Sequence, residues 1–231
     1  MPIPELLAGL LRTDPGRPRI TCYDDRNGPT RGERVELSAK VLTNWVSKAA
    51  NALQEEWDLG PGGVVALRLP PHWRALYWAL ATWSVGATLA LDEAPDADLT
   101  VAGDLALLPP DGPGVFVTEA ALARGSGAPV PTGVLDEAAQ LATFADVFTA
   151  WDAPDPADPA LRTRAGATAY GDLVAHPDWP AATRASSHTA DTGTFLRQTL
   201  ALYALGGSLV LTLGGEPPTG RLDAEGVTLQ L

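Results

Sequence analysis

The sequence predicts an α/β protein with mostly parallel sheets flanked by helices. Residues 64–69 form a short, nearly continuous apolar run after a Gly-Pro-Gly-Gly turn, which is typical of a strand buried on both faces of a parallel sheet. A helix with one apolar face is predicted over residues 72–85, and an apolar strand over residues 87–91. Strand, helix and strand in this order form a right-handed crossover that makes the strands parallel. Residues 192–205 and 208–213 again give a helix, two glycines and a buried strand.

The region before this unit is predicted to contain a helix, a hairpin and a longer helix. The first helix, over residues 4–12, ends at an Asp-Pro-Gly turn, and strands over residues 19–23 and 32–37 form the hairpin. Ser38 then caps the longer helix, in which apolar residues recur at spacings of three and four before Gly60 ends it. This spacing predicts one broad face against the core.

The periodicity weakens after residue 92. We expect short strands over residues 98–102 and 105–108, the first at the edge of its sheet, and a helix over residues 136–148. Tryptophans at helical spacing are predicted to be core residues, except for Trp78, which lies off the apolar face of its helix and is predicted to be exposed or at an interface.

A boundary is predicted at residues 150–160, where three prolines alternate with aspartates. This composition excludes a helix and favours an extended segment. The segment divides the chain into an N-terminal α/β lobe, residues 1–150, and a second α/β lobe, residues 151–231. Packing of the two as one domain remains an alternative.

Composition excludes several classes of function. The 231 residues carry a net charge of −12, so nucleic acid and anionic membranes are not expected partners. Cys22 is the only cysteine, which excludes an internal disulfide and suits the reducing cytoplasm. The N-terminus has no basic start or cleavage site of a signal peptide, and polar residues interrupt the longest apolar stretch. We therefore expect a soluble, cytoplasmic protein.

No metal site and no catalytic residue is predicted. The three histidines are not spaced as metal ligands. Ser187, His188 and Asp191 lack the Gly-x-Ser-x-Gly pattern of a nucleophile elbow. Arg162 and Arg164 offer guanidinium groups that suit a phosphate or carboxylate, with two solvated arginines in a loop as the alternative.

Several short motifs stand in a recognisable order along the chain. They are Glu36-Leu37-Ser38, LGPGGVVAL over residues 59–67, WSVGA over residues 83–87, DPAL over residues 158–161 and LYALGGSLVL over residues 202–211. Their order resembles the N-terminal region of the adenylate-forming superfamily, the AMP-binding, acyl-CoA synthetase-like enzymes. Within this superfamily, the sequence most resembles a truncated protein of actinobacterial type.

The resemblance places the family's phosphate-binding loop at Leu161–His176. The family's loop is rich in Ser, Thr and Gly and ends in Pro-Lys-Gly, whereas this segment reads LRTRAGATAYGDLVAH and has no lysine. The resemblance implies that Gly166 and Thr168 derive from the loop and that His176 borders a substrate site. An ordinary turn is the alternative for the first two. The candidate ligand-binding residues are therefore Arg162, Arg164, Gly166, Thr168 and His176.

The same comparison implies what the protein does. In the family, the adenine- and ribose-binding motifs and the C-terminal domain with its catalytic lysine follow beyond the position of Leu231. We therefore expect a truncated, non-catalytic relative that binds a small molecule or a partner protein, with no cofactor. ATP and Mg²⁺ would bind only through a loop that still functions. The alternatives are an AMP-forming carboxylate ligase completed by a separate polypeptide and a structural subunit that forms a homodimer.

Overall fold

The chain forms two compact units, and each unit contains one β-sheet. Each unit is built from more than one segment of the sequence. The computed structural model describes residues 1–127 and 129–231. The first unit comprises Met1–Thr43, Pro70–Trp73 and Val174–Leu231, and the second comprises Asn44–Leu69 and Arg74–Leu173. This division follows contacts, whereas the lobes 1–150 and 151–231 follow order along the chain, and those lobes stay a prediction.

The first unit holds a five-stranded sheet. Its elements are α1 (Ile3–Thr13), β1 (Pro18–Asp24), β2 (Arg34–Ser38), β10 (Arg184–Ser187), α5 (Thr192–Ala204), β11 (Ser208–Leu213), α6 (Arg221–Ala224) and β12 (Leu229–Gln230). The strand order is β12-β10-β11-β1-β2, with only β2 antiparallel to its neighbour. All six residues of β11 are buried, as the continuous apolar run predicts.

The second unit holds a seven-stranded sheet. Its elements are most of α2 (Ala39–Trp57), β3 (Val64–Arg68), most of α3 (Trp73–Ser84), β4 (Thr88–Ala90), β5 (Leu99–Ala102), β6 (Gly114–Phe116), β7 (Val134–Asp136), α4 (Glu137–Gln140), β8 (Pro159–Thr163) and β9 (Gly166–Ala169). The order is β7-β6-β5-β3-β4-β8-β9, and every neighbouring pair is parallel except β8 and β9. The predicted α/β class with mostly parallel sheets is confirmed.

Some predicted elements differ from those observed. Strand β5 lies between β6 and β3 inside its sheet, so the prediction of an edge strand was wrong. Residues 105–107 form a 3-10 turn, which Asp104 caps through its side chain. The helix predicted over residues 136–148 stops after α4 and a further 3-10 turn, and residues 144–150 have no regular structure.

Trp78 is fully buried, contrary to its predicted exposure. Residues 71–90 are all buried, so α3 has no face exposed to solvent. A tryptophan outside the apolar face of this helix is therefore buried as well. Among the described residues, no helix is both long and apolar enough to cross a membrane.

Candidate functional site

A cleft opens in the second unit beside the ends of two parallel strands, β4 and β8. Parallel strands bring their carboxyl ends to one edge of a sheet, which is where open α/β sheets commonly bind ligands. The Leu91 N–H, just after β4, donates to the carbonyl of Arg162 on β8 at 3.1 Å, which fixes the two strand ends side by side. Arg68, at the end of β3, donates to the Leu91 carbonyl at 3.2 Å.

A tight hairpin forms one wall of the cleft. Strands β8 and β9 pair antiparallel, and only Arg164 and Ala165 lie between the paired residues Thr163 and Gly166. Gly166 has φ of +130°, a backbone conformation that favours glycine. The connection is therefore a two-residue turn, too short to wrap around a phosphate chain as a glycine-rich loop does.

The cleft has a volume of about 540 Å³, within the usual size of small-molecule sites. Three carboxylates and two guanidinium groups line it, which leaves one net negative charge. The other lining residues have small side chains or none. The residues are Ala90, Asp92, Glu93, Asp96, Arg162, Thr163, Arg164, Gly166 and Ala167.

Arg162 is held by a carboxylate of the chain itself. Its Nη1 and Nη2 atoms donate to the two oxygens of Asp96 at 2.7 and 2.8 Å, the two-pronged geometry that suits guanidinium and carboxylate. These bonds lower the pKa of Asp96 to about 2. They also raise the pKa of Arg162, so both groups stay charged at neutral pH.

Arg164 also contacts a carboxylate of the chain, although its side chain is exposed. Its backbone N–H donates to Asp92 Oδ2 at 2.7 Å, and its Nε lies 3.2 Å from Asp92 Oδ1. The next backbone N–H, of Ala165, is directed to the hydroxyl of Thr163 at 3.3 Å. Both N–H groups of the turn therefore already have acceptors within the chain.

The structure brings three of the five candidate residues together. Arg162, Arg164 and Gly166 line the cleft, whereas Thr168 lies on β9 opposite Leu161 and is not in the lining. His176 is an exposed residue of the first unit. Ligand binding by these residues stays a prediction.

Sequence reasoning missed the acidic half of the cleft. Asp92, Glu93 and Asp96 follow β4 closely, in the region where the apolar periodicity of the sequence weakens. Their signal was present, because polar residues that follow a parallel strand lie at the edge where ligands bind. Among the described residues, no group of three or more His, Cys, Asp or Glu side chains is placed to hold a metal ion.

A second charged cluster lies in the core of the same unit, away from the lining of the cleft. Glu137 accepts hydrogen bonds from Arg74 Nη1 at 2.7 and 3.0 Å and from the Tyr77 hydroxyl. Burial raises the pKa of Glu137, and the opposing effect of Arg74 is smaller, so the pKa is about 7. Arg74 also donates to the carbonyl of Ala120 at 2.9 Å, which joins α3, α4 and the loop before β7.

Comparison with solved structures identifies the fold as that of the N-terminal region of adenylate-forming enzymes. Acetoacetyl-CoA synthetase from Streptomyces lividans matches with a TM-score of 0.73 at 18% identity, over 100% of this chain and 42% of that one. Brucella canis acyl-CoA synthetase matches with a TM-score of 0.70 at 17% identity, over 97% and 46%. The Klebsiella oxytoca NpsA N-terminal subdomain in complex with 3-hydroxybenzoyl-AMSN matches with a TM-score of 0.63 at 15% identity, over 99% and 59%.

A curated relative is found by sequence. It is a TIGR03089 family protein of Mycobacterium tuberculosis, 44% identical over 102 residues, which are 44% of this chain and 40% of that protein. No family model matches the sequence. The matched region is thus about two fifths of the curated relative, and the chain spans 42% to 59% of the three structures above.

Proposed function

We propose that this protein is a non-catalytic small-molecule binder that keeps the N-terminal fold of AMP-forming ligases and uses the cleft beside the β8–β9 hairpin. The observation that carries the proposal is the hydrogen bond from the Arg164 N–H to Asp92. This backbone donor belongs to the turn between β8 and β9, in the segment where we expect the family's phosphate loop, and a carboxylate of the chain already occupies it.

Two physical arguments make this cleft unsuitable for the phosphates of ATP. A phosphate site needs free backbone N–H groups and a cation that is not neutralised. Here the N–H groups of Arg164 and Ala165 are taken, and both guanidinium groups are paired with aspartates. An entering phosphate would have to displace a carboxylate that is held in place by its own hydrogen bonds.

The charge of the residues that line the cleft favours a ligand that is not an anion. Asp92 and Asp96 neutralise the two arginines, and Glu93 remains as an exposed carboxylate in the lining. One net negative charge in a concave site favours a neutral or positively charged molecule. We therefore propose a small ligand with hydroxyl or amine groups, which the carboxylates would accept as hydrogen-bond donors.

The test combines an activity assay with a binding assay on the purified chain. We expect no ATP–pyrophosphate exchange with any of a panel of carboxylic acids, and no heat of binding for ATP with Mg²⁺ in calorimetry. A panel of small amines and polyols is then screened by ligand-observed NMR, with Glu93→Gln as the variant expected to weaken any hit. Clear pyrophosphate exchange would overturn the proposal.

A second candidate function is an AMP-forming carboxylate ligase completed by a separate polypeptide. It is favoured by the fold, which matches part of an acetoacetyl-CoA synthetase with a TM-score of 0.73. Catalysis would then depend on positioning and charge supplied by the other part. Pyrophosphate exchange that appears only when a co-purifying polypeptide is present would favour this candidate.

A further inference from the structure

We propose that a cleft between α1 and the end of α5 binds a small monoanion, which accepts a hydrogen bond from Tyr203 and is attracted by the buried guanidinium group of Arg19. This α1–α5 cleft belongs to the first unit and has a volume of about 210 Å³. Residues of both helices line it, among them Leu10 of α1 and Tyr203 of α5. The site is independent of the ligand proposed for the cleft of the second unit.

Arg19 brings a positive charge into the core without a carboxylate partner. It is the second residue of β1 and is 0% exposed. Its Nη1 atom donates to the carbonyls of Gly206 and Gly207 at 2.7 and 3.2 Å, and its Nη2 atom donates to that of Leu10 at 3.4 Å. Its Nε atom has no acceptor among the described residues. Buried charges are normally paired with an opposite charge, so an anion would supply a partner that the chain does not.

The other charges near Arg19 do not compensate it. Burial lowers the pKa of Arg19, Arg17 lowers it further, and Asp14 opposes these effects only in part. Asp14 is exposed, and its carboxylate accepts backbone N–H groups of its own turn at 3.1 Å. The buried Arg74 of the second unit, in contrast, is paired with Glu137. The charge of Arg19 is therefore left for a ligand to balance.

Tyr203 supplies a hydrogen-bond donor that the chain does not use. The residue is 2% exposed, and its hydroxyl has no partner among the described residues. Burial raises the pKa of Tyr203, so the hydroxyl stays protonated and can donate at neutral pH. Arg19 acts on the same pKa in the opposite direction, which indicates that the two groups lie near each other. Because the hydroxyl forms no hydrogen bond within the chain, turning it toward a ligand breaks none.

The residues that bind Arg19 are also part of the α1–α5 cleft. Leu10 and Gly206 line it, and both accept hydrogen bonds from the guanidinium group. The N–H of Gly206 in turn donates to the carbonyl of Tyr203 at 2.9 Å. The guanidinium group therefore lies directly behind the wall of the cleft, next to the part of the wall that Tyr203 forms.

The lining of the α1–α5 cleft favours a compact monoanion. Leu6 and Ala204 give apolar walls, which suit a short hydrocarbon chain, and the exposed side chains of Glu5 and Arg12 have opposite charges. When Arg19 is added to these side chains, one positive charge remains, which matches one negative charge on the ligand. A polyanion such as pyrophosphate does not suit apolar walls and one uncompensated cation. The volume lies below the usual range of small-molecule sites, so the ligand is a short-chain carboxylate or a halide ion.

Titration of the purified chain, followed through its backbone amide signals in NMR, tests the site. Sodium butyrate and sodium chloride are the two probes, and butyramide is the uncharged control with nearly the shape of butyrate. We expect saturable shifts at Leu10, Ala204 and Gly206 with an anion and none with butyramide. Tighter binding of butyrate identifies an organic acid as the ligand, and tighter binding of chloride identifies an inorganic ion. Equal binding of butyramide and butyrate, or no saturable shift with either anion, would overturn the proposal.

Tyr203→Phe separates ligand binding from a structural role of this residue. The variant keeps the buried ring and removes the hydroxyl, so we expect its free energy of unfolding to be at least that of the unmodified chain. Its affinity for the anion should fall about tenfold, because one hydrogen bond to a charged group is lost. Unchanged affinity in this variant would refute the site.

Charge variants show whether the anion binds at this cleft or responds to net charge alone. Arg12→Gln removes an exposed charge of the lining and should weaken anion binding about twofold to fivefold. Arg197→Gln removes an exposed charge of α5 outside the lining and is the matched control, with unchanged affinity. Glu93→Gln, in the cleft of the second unit, should also leave the affinity unchanged. Equal weakening by Arg12→Gln and Arg197→Gln would contradict a site between α1 and α5.

Discussion

Asp92 accepts the Arg164 N–H and pairs with the guanidinium of the same residue, so one carboxylate performs the role that an external anion would otherwise have. Glu93, the next residue, lines the same cleft and is exposed. Two neighbouring carboxylates of the same cleft thus have different tasks. Asp92 occupies the backbone N–H and contacts the guanidinium group of Arg164, whereas Glu93 lines the cleft as an exposed carboxylate.

Removal of the Asp92 carboxylate should make the cleft accept anions. In Asp92→Ala the Arg164 N–H and guanidinium lose their acceptor, and we expect pyrophosphate to bind measurably in calorimetry where the unmodified chain shows none. Glu93→Ala removes the same charge and is the control, expected to remain without binding. Equal binding by both variants would mean that net charge, and not the occupied N–H, excludes anions.

Glu137 should make stability depend on pH near neutrality. Its pKa is about 7 in the folded chain against an ordinary 4.5. A raised pKa gives stability that is complete below pH 4.5 and is lost as the pH rises through 7, by about 2–3 kcal/mol. Urea unfolding at pH 5 and pH 8 should show this loss in the unmodified chain.

Glu137→Gln is the comparison that isolates this group. The variant cannot titrate at this position, so its unfolding free energy should change less between pH 5 and pH 8 than that of the unmodified chain. Glu93 is an exposed carboxylate, so Glu93→Gln should leave the pH dependence of the unfolding free energy unchanged. An identical dependence in Glu137→Gln would show that Arg74 keeps Glu137 ionised throughout this range.

Helix α2 holds an irregular segment of the chain through its polar side chains. Asn51 donates to the carbonyls of Ala145 and Val147, both at 3.0 Å. One turn further on, Gln54 donates to the Thr149 carbonyl at 3.2 Å and accepts the Trp151 N–H at 3.0 Å. The segment thus satisfies its backbone groups on a helix and needs no strand of its own.

Loss of Asn51 should loosen this segment. Asn51→Ala leaves two carbonyls without their donor, and we expect a loss of about 1–3 kcal/mol in unfolding free energy. Chymotrypsin should also cut faster at Phe148 or Trp151. Glu55→Ala, at an exposed position of the same helix, is the control for a change in helix sequence. Unchanged cleavage in Asn51→Ala would show that other contacts hold the segment.

Elements with a clear period could be predicted from the sequence, and the others depended on tertiary contacts. Helices α1, α2, α3 and α5 and strands β3 and β11 follow from apolar spacing and turn residues. Residues 144–150 have apolar spacing typical of a helix but bind α2 through their backbone. Strand β9 could not be predicted, because Gly-Ala-Thr-Ala has no apolar pattern and becomes a strand only by pairing with β8.

The sequence predicted the two arginines of the candidate site but not the aspartates that bind them. Its position followed from the order of motifs, and Arg162 and Arg164 followed from their charge. Their partners, Asp92 and Asp96, are 72 and 66 residues away along the chain. Only the parallel pairing of β4 and β8 brings them together, and residue spacing carries no signal for it.

Carboxylates of the two units lie in opposite electrostatic environments, which raise the pKa in one unit and lower it in the other. In the second unit, burial raises the pKa of Glu137. In the first unit, burial alone would raise the pKa of Glu225, but hydrogen bonds from Tyr23, Arg184 and Arg34 lower it to about 2. The pKa of Asp24 is also lowered to about 2, because bonds from Arg26 and Thr30 outweigh its burial. Acid should therefore weaken the first unit through Glu225 and Asp24, whereas protonation of Glu137 does not weaken the second unit.

This difference predicts where acid unfolding begins. A lowered pKa gives stability that is present above the ordinary value of 4.5 and is lost as the pH falls through 2, by about 2–3 kcal/mol for Glu225. Glu225 follows α6 and binds Arg34 of β2 at 3.0 Å, so its protonation should release the C-terminal segment from the β1–β2 hairpin. Hydrogen exchange at pH 3 should show lost protection in residues 18–38 and 221–230 while residues 64–90 remain protected. Glu225→Gln should show the same loss already at pH 6, and simultaneous loss in both units would contradict the assignment.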